Sequence, residues 1–117
     1  MRMKVYRICE IKKNELYTLF HGIAGSRKMK MNTWLTASIK PVRDGSREKA
    51  KLYQSGFHTI PTLEECRKFL NRFSAPRELA IVECEIGNNH WPKKHSLVNI
   101  ILAEKIKLIK IIEKYEI

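Results

Sequence analysis

Acidic residues are scarce in this sequence. Its 117 residues include 12 Asp and Glu against 23 Lys and Arg, a net charge of +11, and Asp44 is the only aspartate. A Mg²⁺ or Ca²⁺ centre needs several converging oxygens, so a hard-metal site is not expected. Cysteine is sparse too. Cys9, Cys66 and Cys84 form an odd set without paired spacing, which excludes a disulfide framework and suits reduced thiols in a cytoplasm. Cys9 and Cys84 fall in β-rich runs and read as small core residues. Long apolar runs are missing: the greasiest stretch, Leu97 to Ile112, is broken by Lys105, Lys107 and Lys110, which excludes a membrane-spanning helix. Met1 to Ile11 alternates polar and apolar residues, so no secretory leader is expected. HExxH, GxSxG, Walker, GxGxxG and CxxC patterns are all absent, which leaves the commonest catalytic signatures without support. His90 and His95 stand five apart with no cysteine nearby, a poor match to a zinc site, and no metal or cofactor is expected.

What remains describes a globular chain. The length suits a single domain over residues 1–117, large enough to bury roughly two thirds of its unfolded surface. Hydrophobic residues make up 44% and charged residues 30%, the balance of a folded protein. The cationic excess favours anionic partners, whether nucleic acid, nucleotides or an acidic membrane surface. The 15 Lys and 14 Ile suggest an AT-rich coding genome, a composition bias that would itself add positive charge.

Along the chain, Val5 to Ile11 and Leu16 to Ile23 read as a hairpin around Lys12-Lys13-Asn14-Glu15. Thr33 to Val42 reads as a strand with Trp34 and Thr36 on one face, Leu35 and Ala37 on the other. Arg43 to Ala50 is a polar loop, and Leu52 to Ile60 returns to strand character with an interruption at Ser55-Gly56. A helix is predicted from Leu63 to about Phe73: Thr62 and Glu65 have capping-box spacing, and Cys66, Phe69, Leu70 and Phe73 share a face. Glu78 to Ile86 is a strand, Gly87 to Ser96 a second long loop, and Leu97 to Ala103 a strand. Lys105 to Ile112 also suits a helix through Ile106, Ile109 and Glu113, but its wealth of β-branched Ile favours a strand. The expected fold is α+β: a mainly antiparallel sheet of about six or seven strands with one packed helix at about 63–73.

Three segments carry candidate chemistry. In His21 to Lys28, two glycines allow backbone N–H groups to converge on an anion, with Ser26 donating and Arg27 gripping a phosphate; the same residues would also make a solvated turn. Asn89 to Ser96, leading into Asn99, interleaves Lys93, Lys94 and His95 with Trp91, which suits a ligand bearing phosphates and a base, or else an ordinary surface with Trp91 at the core rim. His58 follows Gly56-Phe57, where a ligand could approach closely, or is a half-buried structural residue. Four histidines without metal ligands would also serve metal-independent RNA cleavage, with His58 or His95 as acid or base.

Tyr6-Arg7 with Glu10, Leu19-Phe20-His21-Gly22, Gly25-Ser26-Arg27, Trp34 with Ala37, Ser55-Gly56-Phe57-His58, Lys94-His95-Ser96, Asn99 and Ala103-Glu104-Lys105 together form one ordered pattern. It resembles the phage-encoded Thoeris anti-defence sponges of the first-described type, over nearly the whole chain. The resemblance implies a cytoplasmic, non-enzymatic protein that sequesters a cyclic ADP-ribose isomer, and related sponges also hold cyclic oligonucleotides. It also implies a homo-oligomer, dimeric or higher, with ligand sites at subunit contacts. Within the matching motifs the expected ligand-binding residues are Gly25, Ser26, Arg27, Lys28, Trp34, Phe57, His58, Trp91, Lys94, His95 and Asn99. A metal-independent ribonuclease and a basic nucleic-acid-binding regulator are the alternatives. With dispersed charge and no recognition helix, nucleic-acid binding is expected to be weak and salt-dependent.

Overall fold

The structure is a computed structural model that describes residues 3–18, 28–37, 41–43, 52–54, 56–71, 78–93 and 98–116. β1 (Met3–Lys12) turns into β2 (Glu15–Thr18) through Lys13 and Asn14, both left-handed with φ of 50° and 63°. A two-residue loop with both central φ angles positive matches the twist of the strands it joins. β3 (Trp34–Thr36), β4 (Pro41–Arg43), β5 (Leu52–Gln54) and β6 (Phe57–Thr59) follow, then helix α1 (Leu63–Leu70). The chain continues through β7 (Glu78–Ile86), β8 (His90–Lys93), β9 (Ile100–Ala103) and β10 (Lys105–Glu116).

Among the described residues eight strands form two antiparallel sheets, one of five in the order β2-β1-β7-β10-β3 and one of three in the order β6-β9-β8; β4 and β5 pair separately. With one helix packed on them, this is the expected α+β fold. The strands are more numerous than the sequence suggests, while β1 and β10 run longer than the expected Val5 to Ile11 and Lys105 to Ile112. Thr33 to Val42 contributes two strands, β3 on β10 and β4 on β5. The expected loop Gly87 to Ser96 contains β8, with Pro92 exposed on an edge strand, where its missing N–H costs nothing. The helix is capped by Thr62 and Asn71, so it is shorter than the predicted 63–73.

The two sheets are joined by hydrogen bonds. Gly87 N–H donates to Lys105 O and Glu104 N–H to Asn89 O, both at 3.1 Å, which carries the β7–β10 ladder round a corner into β8–β9. From β9 the ladder passes to β6, and β6 returns to β1 through a reciprocal pair between Tyr6 and Ile60 at 2.8 and 2.7 Å. The circuit β1-β7-β10-β9-β6-β1 therefore closes on itself. Its two sides are both buried. Val5, Cys9, Phe57, Val82, Cys84, Ile86, Ile106 and Leu108 fill one core. Ile8, Ile60, Leu79, Ile81, Ile100 and Leu102 fill the other, under Cys66, Phe69 and Leu70 of α1. Burial of both faces explains the unbroken apolar run Leu79 to Val82 in the middle of β7.

β10 carries two irregularities against β7, between Leu108 and Lys110 and between Ile111 and Glu113. Each extra residue breaks the alternation of faces and bends the strand. That is the source of the helix-like spacing of Ile106, Ile109 and Glu113. The helix start follows the capping rule: Thr62 Oγ1 accepts Glu65 N–H at 3.2 Å, and Glu65 Oε2 accepts the backbone N–H of Asn99 at 2.7 Å. Arg67 pairs with Glu113, tying α1 to β10.

Candidate functional site

β3 is the edge of the five-stranded sheet. Trp34 lies opposite Lys107 and Thr36 opposite Lys105, while Leu35 and Ile106 turn to the core. Alternation thus puts an indole, a hydroxyl and two ammonium groups on the outer face. Where that face meets the sheet corner, Trp34, Thr36, Ile86, Gly87, Asn88 and Lys105 line an open depression of about 360 Å³. His90 braces the corner, its Nδ1 donating to Gly87 O at 2.9 Å, which assigns the ring proton to that nitrogen. The lining holds no carboxylate, imidazole or thiol. An aromatic face beside an ammonium, an amide and a hydroxyl is a recognition set for a flat base carrying a negative group.

A second group of candidate residues lies on the three-stranded sheet. His58 and Trp91 both sit opposite Leu102, so they share a face across β9, and Lys93 lies two residues along on the same side. Lys93 Nζ is 3.4 Å from His58 Nε2. An ammonium can only donate, so this contact requires a neutral imidazole with its proton on Nδ1. Trp91 reaches across the strand to Gly56, where a Cβ would stand 3.4 Å from Trp91 Cζ2 and 3.1 Å from Ala103 O. The glycine leaves room for the ring.

The structure distributes the sequence-predicted residues rather than gathering them. Trp34 lines the depression; His58 and Trp91 belong to the other sheet. Phe57 is buried beneath the Arg7 guanidinium, 5.5 Å from its ring centroid. Lys28 is exposed and ion-paired to Glu15 at 2.8 Å, which holds its ammonium above the ordinary lysine range. Asn99 is exposed and bound through its backbone to Glu65. Gly25, Ser26, Arg27, Lys94 and His95 lie outside the described residues. Thr36, Gly87, Asn88 and Lys105 were not among the expected ligands. Alternation from Trp34 picks out Thr36, but only the corner brings Gly87, Asn88 and Lys105 beside it.

The described histidines do not converge: His90 lies opposite Ala103 and in register with Phe57, on the face opposite to His58. All three cysteines are buried, and burial raises each thiol, Cys66 to about 12. Such thiols stay protonated at neutral pH and make poor nucleophiles. Among the described residues no three His, Cys, Asp or Glu side chains gather where a metal could sit, and no helix is long and apolar enough to cross a membrane. No family model, curated protein or solved structure matches the chain.

Proposed function

We propose that the protein sequesters a nucleotide-type signal without turning it over, the role implied by its resemblance to the phage-encoded Thoeris anti-defence sponges. The ligand is a cyclic ADP-ribose isomer, held in the host cytoplasm by a homo-oligomer. One observation carries this reading: the Trp34 depression offers an indole, an ammonium, an amide and a hydroxyl, with no carboxylate, imidazole or thiol among its lining residues. A sponge needs affinity and slow release, and that set supplies recognition alone. Trp34 stacks on the adenine, and Lys105 faces the pyrophosphate.

The test is retention. The protein is incubated with the product of a TIR-domain enzyme, desalted and heated, and the released small molecules are weighed by mass spectrometry. Intact cyclic ADP-ribose isomer is the expected product. Trp34→Ala should weaken its binding by the loss of one base-stacking contact, about 1–3 kcal/mol. Recovery of a cleaved ligand, or no retained ligand at all, refutes the proposal. RNA cleavage that disappears in His58→Ala would establish the ribonuclease instead.

A further inference from the structure

Gly87 stands at the corner where β7 ends, and its backbone polar groups are both engaged. Its N–H donates to Lys105 O at 3.1 Å, and its carbonyl accepts the Nδ1–H of His90 at 2.9 Å. The β7–β10 register pairs Glu85 with Lys107 and Ile86 with Ile106, so one further step puts Gly87 beside Lys105. Alternation then places Gly87 on the outer face with Glu85. That face is two rows of residues across three strands. Glu85, Lys107 and Trp34 form one row, all with long side chains; Gly87, Lys105 and Thr36 form the other. The depression runs along the second row, whose ends are a missing side chain and a short one.

The fold itself does not call for glycine at this position. Gly87 is not in the left-handed region, and a Cβ would meet Lys105 Cβ at 3.4 Å, an ordinary contact. Among the described residues, chain neighbours aside, no other atom lies within 4 Å of that Cβ, so it would stand in the open space of the depression. Gly56 is the contrast, with a buried carbonyl 3.1 Å from its Cβ position. An alanine at 87 would also restrict the unfolded chain, which favours folding. For the chain alone, alanine fits as well as glycine or better.

We infer that Gly87 is a ligand contact: the nucleotide stacked on Trp34 at β3 crosses β10 and lies against the bare Cα of Gly87 at β7. The inference rests on reading the depression as the nucleotide site, and it adds the residue that sets how closely the ligand approaches the sheet. Two strand spacings separate β3 from β7, about 10 Å, a span that a base alone does not cover. With its N–H and carbonyl engaged, Gly87 offers close approach rather than a hydrogen bond, and the exposed Lys105 between the two ends supplies the charge.

Isothermal titration of a purified cyclic ADP-ribose isomer into wild type, Gly87→Ala and Gly87→Val tests this, with thermal unfolding of each free protein alongside. Gly87→Ala should melt at or slightly above the wild-type temperature yet bind about ten- to a hundredfold more weakly, and Gly87→Val should bind more weakly still. Wild-type affinity in Gly87→Ala, with a loss in Trp34→Ala, would leave the nucleotide site standing and overturn this inference alone. A Gly87→Ala protein that melts several degrees below wild type would also overturn it, since the glycine would then serve the corner. A wild-type protein that binds no isomer refutes both the site and the contact.

Discussion

Replacing Gly56 by alanine tests how tightly β6 is closed against β9 and Trp91. An added Cβ would stand 3.1 Å from Ala103 O, 3.4 Å from Ala103 N and 3.4 Å from Trp91 Cζ2. Gly56 is not in the left-handed region, so the backbone itself accepts alanine and the cost comes from contact alone. The carbonyl cannot easily retreat: Ala103 is fully buried and paired on both sides, with Phe57 and His90. Overpacking of this kind costs about 1–3 kcal/mol. The alanine also restricts the unfolded chain, which returns about 0.4–1 kcal/mol. A net loss of about 1 kcal/mol follows, or roughly 4 °C in melting temperature for a domain of this size. Thermal unfolding by circular dichroism measures it. Trp91→Phe in the Gly56→Ala background should recover only part of the loss, since the tighter contact is the carbonyl. A Gly56→Ala protein as stable as the wild type would refute the reasoning.

The buried thiols make stability sensitive to alkali. Cys66 is raised from 9.0 to about 12 in the folded state, so above pH 9 the unfolded chain loses this proton while the native state keeps it. Its contribution is complete below that point and lost as pH rises toward 12, by about 1.4 kcal/mol per pH unit. Urea midpoints between about pH 8 and pH 10 should fall, and fall less in Cys66→Ala; equal slopes would contradict the assignment. A thiol reagent at neutral pH should leave the native protein unmodified and label all three cysteines after unfolding. Thr62→Ala removes the acceptor for Glu65 N–H at the start of α1 and should cost about 1 kcal/mol in chemical denaturation. An unchanged midpoint would mean that the Asn99 contact to Glu65 holds the helix start by itself.

Where a pattern is local, it could be read directly. The Thr62–Glu65 cap depends on residues three apart, and the Lys13-Asn14 turn on two adjacent ones. The two faces of β7 follow from alternation, with Leu79 and Ile81 toward α1 and Ala80, Val82, Cys84 and Ile86 toward the other core. Reading failed where the backbone departs from regularity. The irregularities in β10 blur its alternation, and β8 was hidden by Asn88, Asn89 and Pro92, residues that usually mark loops.

The candidate site divides in the same way. The sequence by itself determined that the chain is cationic, poor in acid and without a catalytic signature, and that Trp34 and Thr36 leave their strand on one side. Those properties belong to residue identity and to the two-residue period of a strand. Only the tertiary structure decided that Lys105, Gly87 and Asn88 meet Trp34, because the corner is made by hydrogen bonds between residues 18 apart, Gly87 to Lys105. The same is true of Arg7. Its charge is plain in the sequence, but its burial beneath His58 and over Phe57 depends on a contact between strands some fifty residues apart, and no local pattern encodes which cation the closing sheet will enclose.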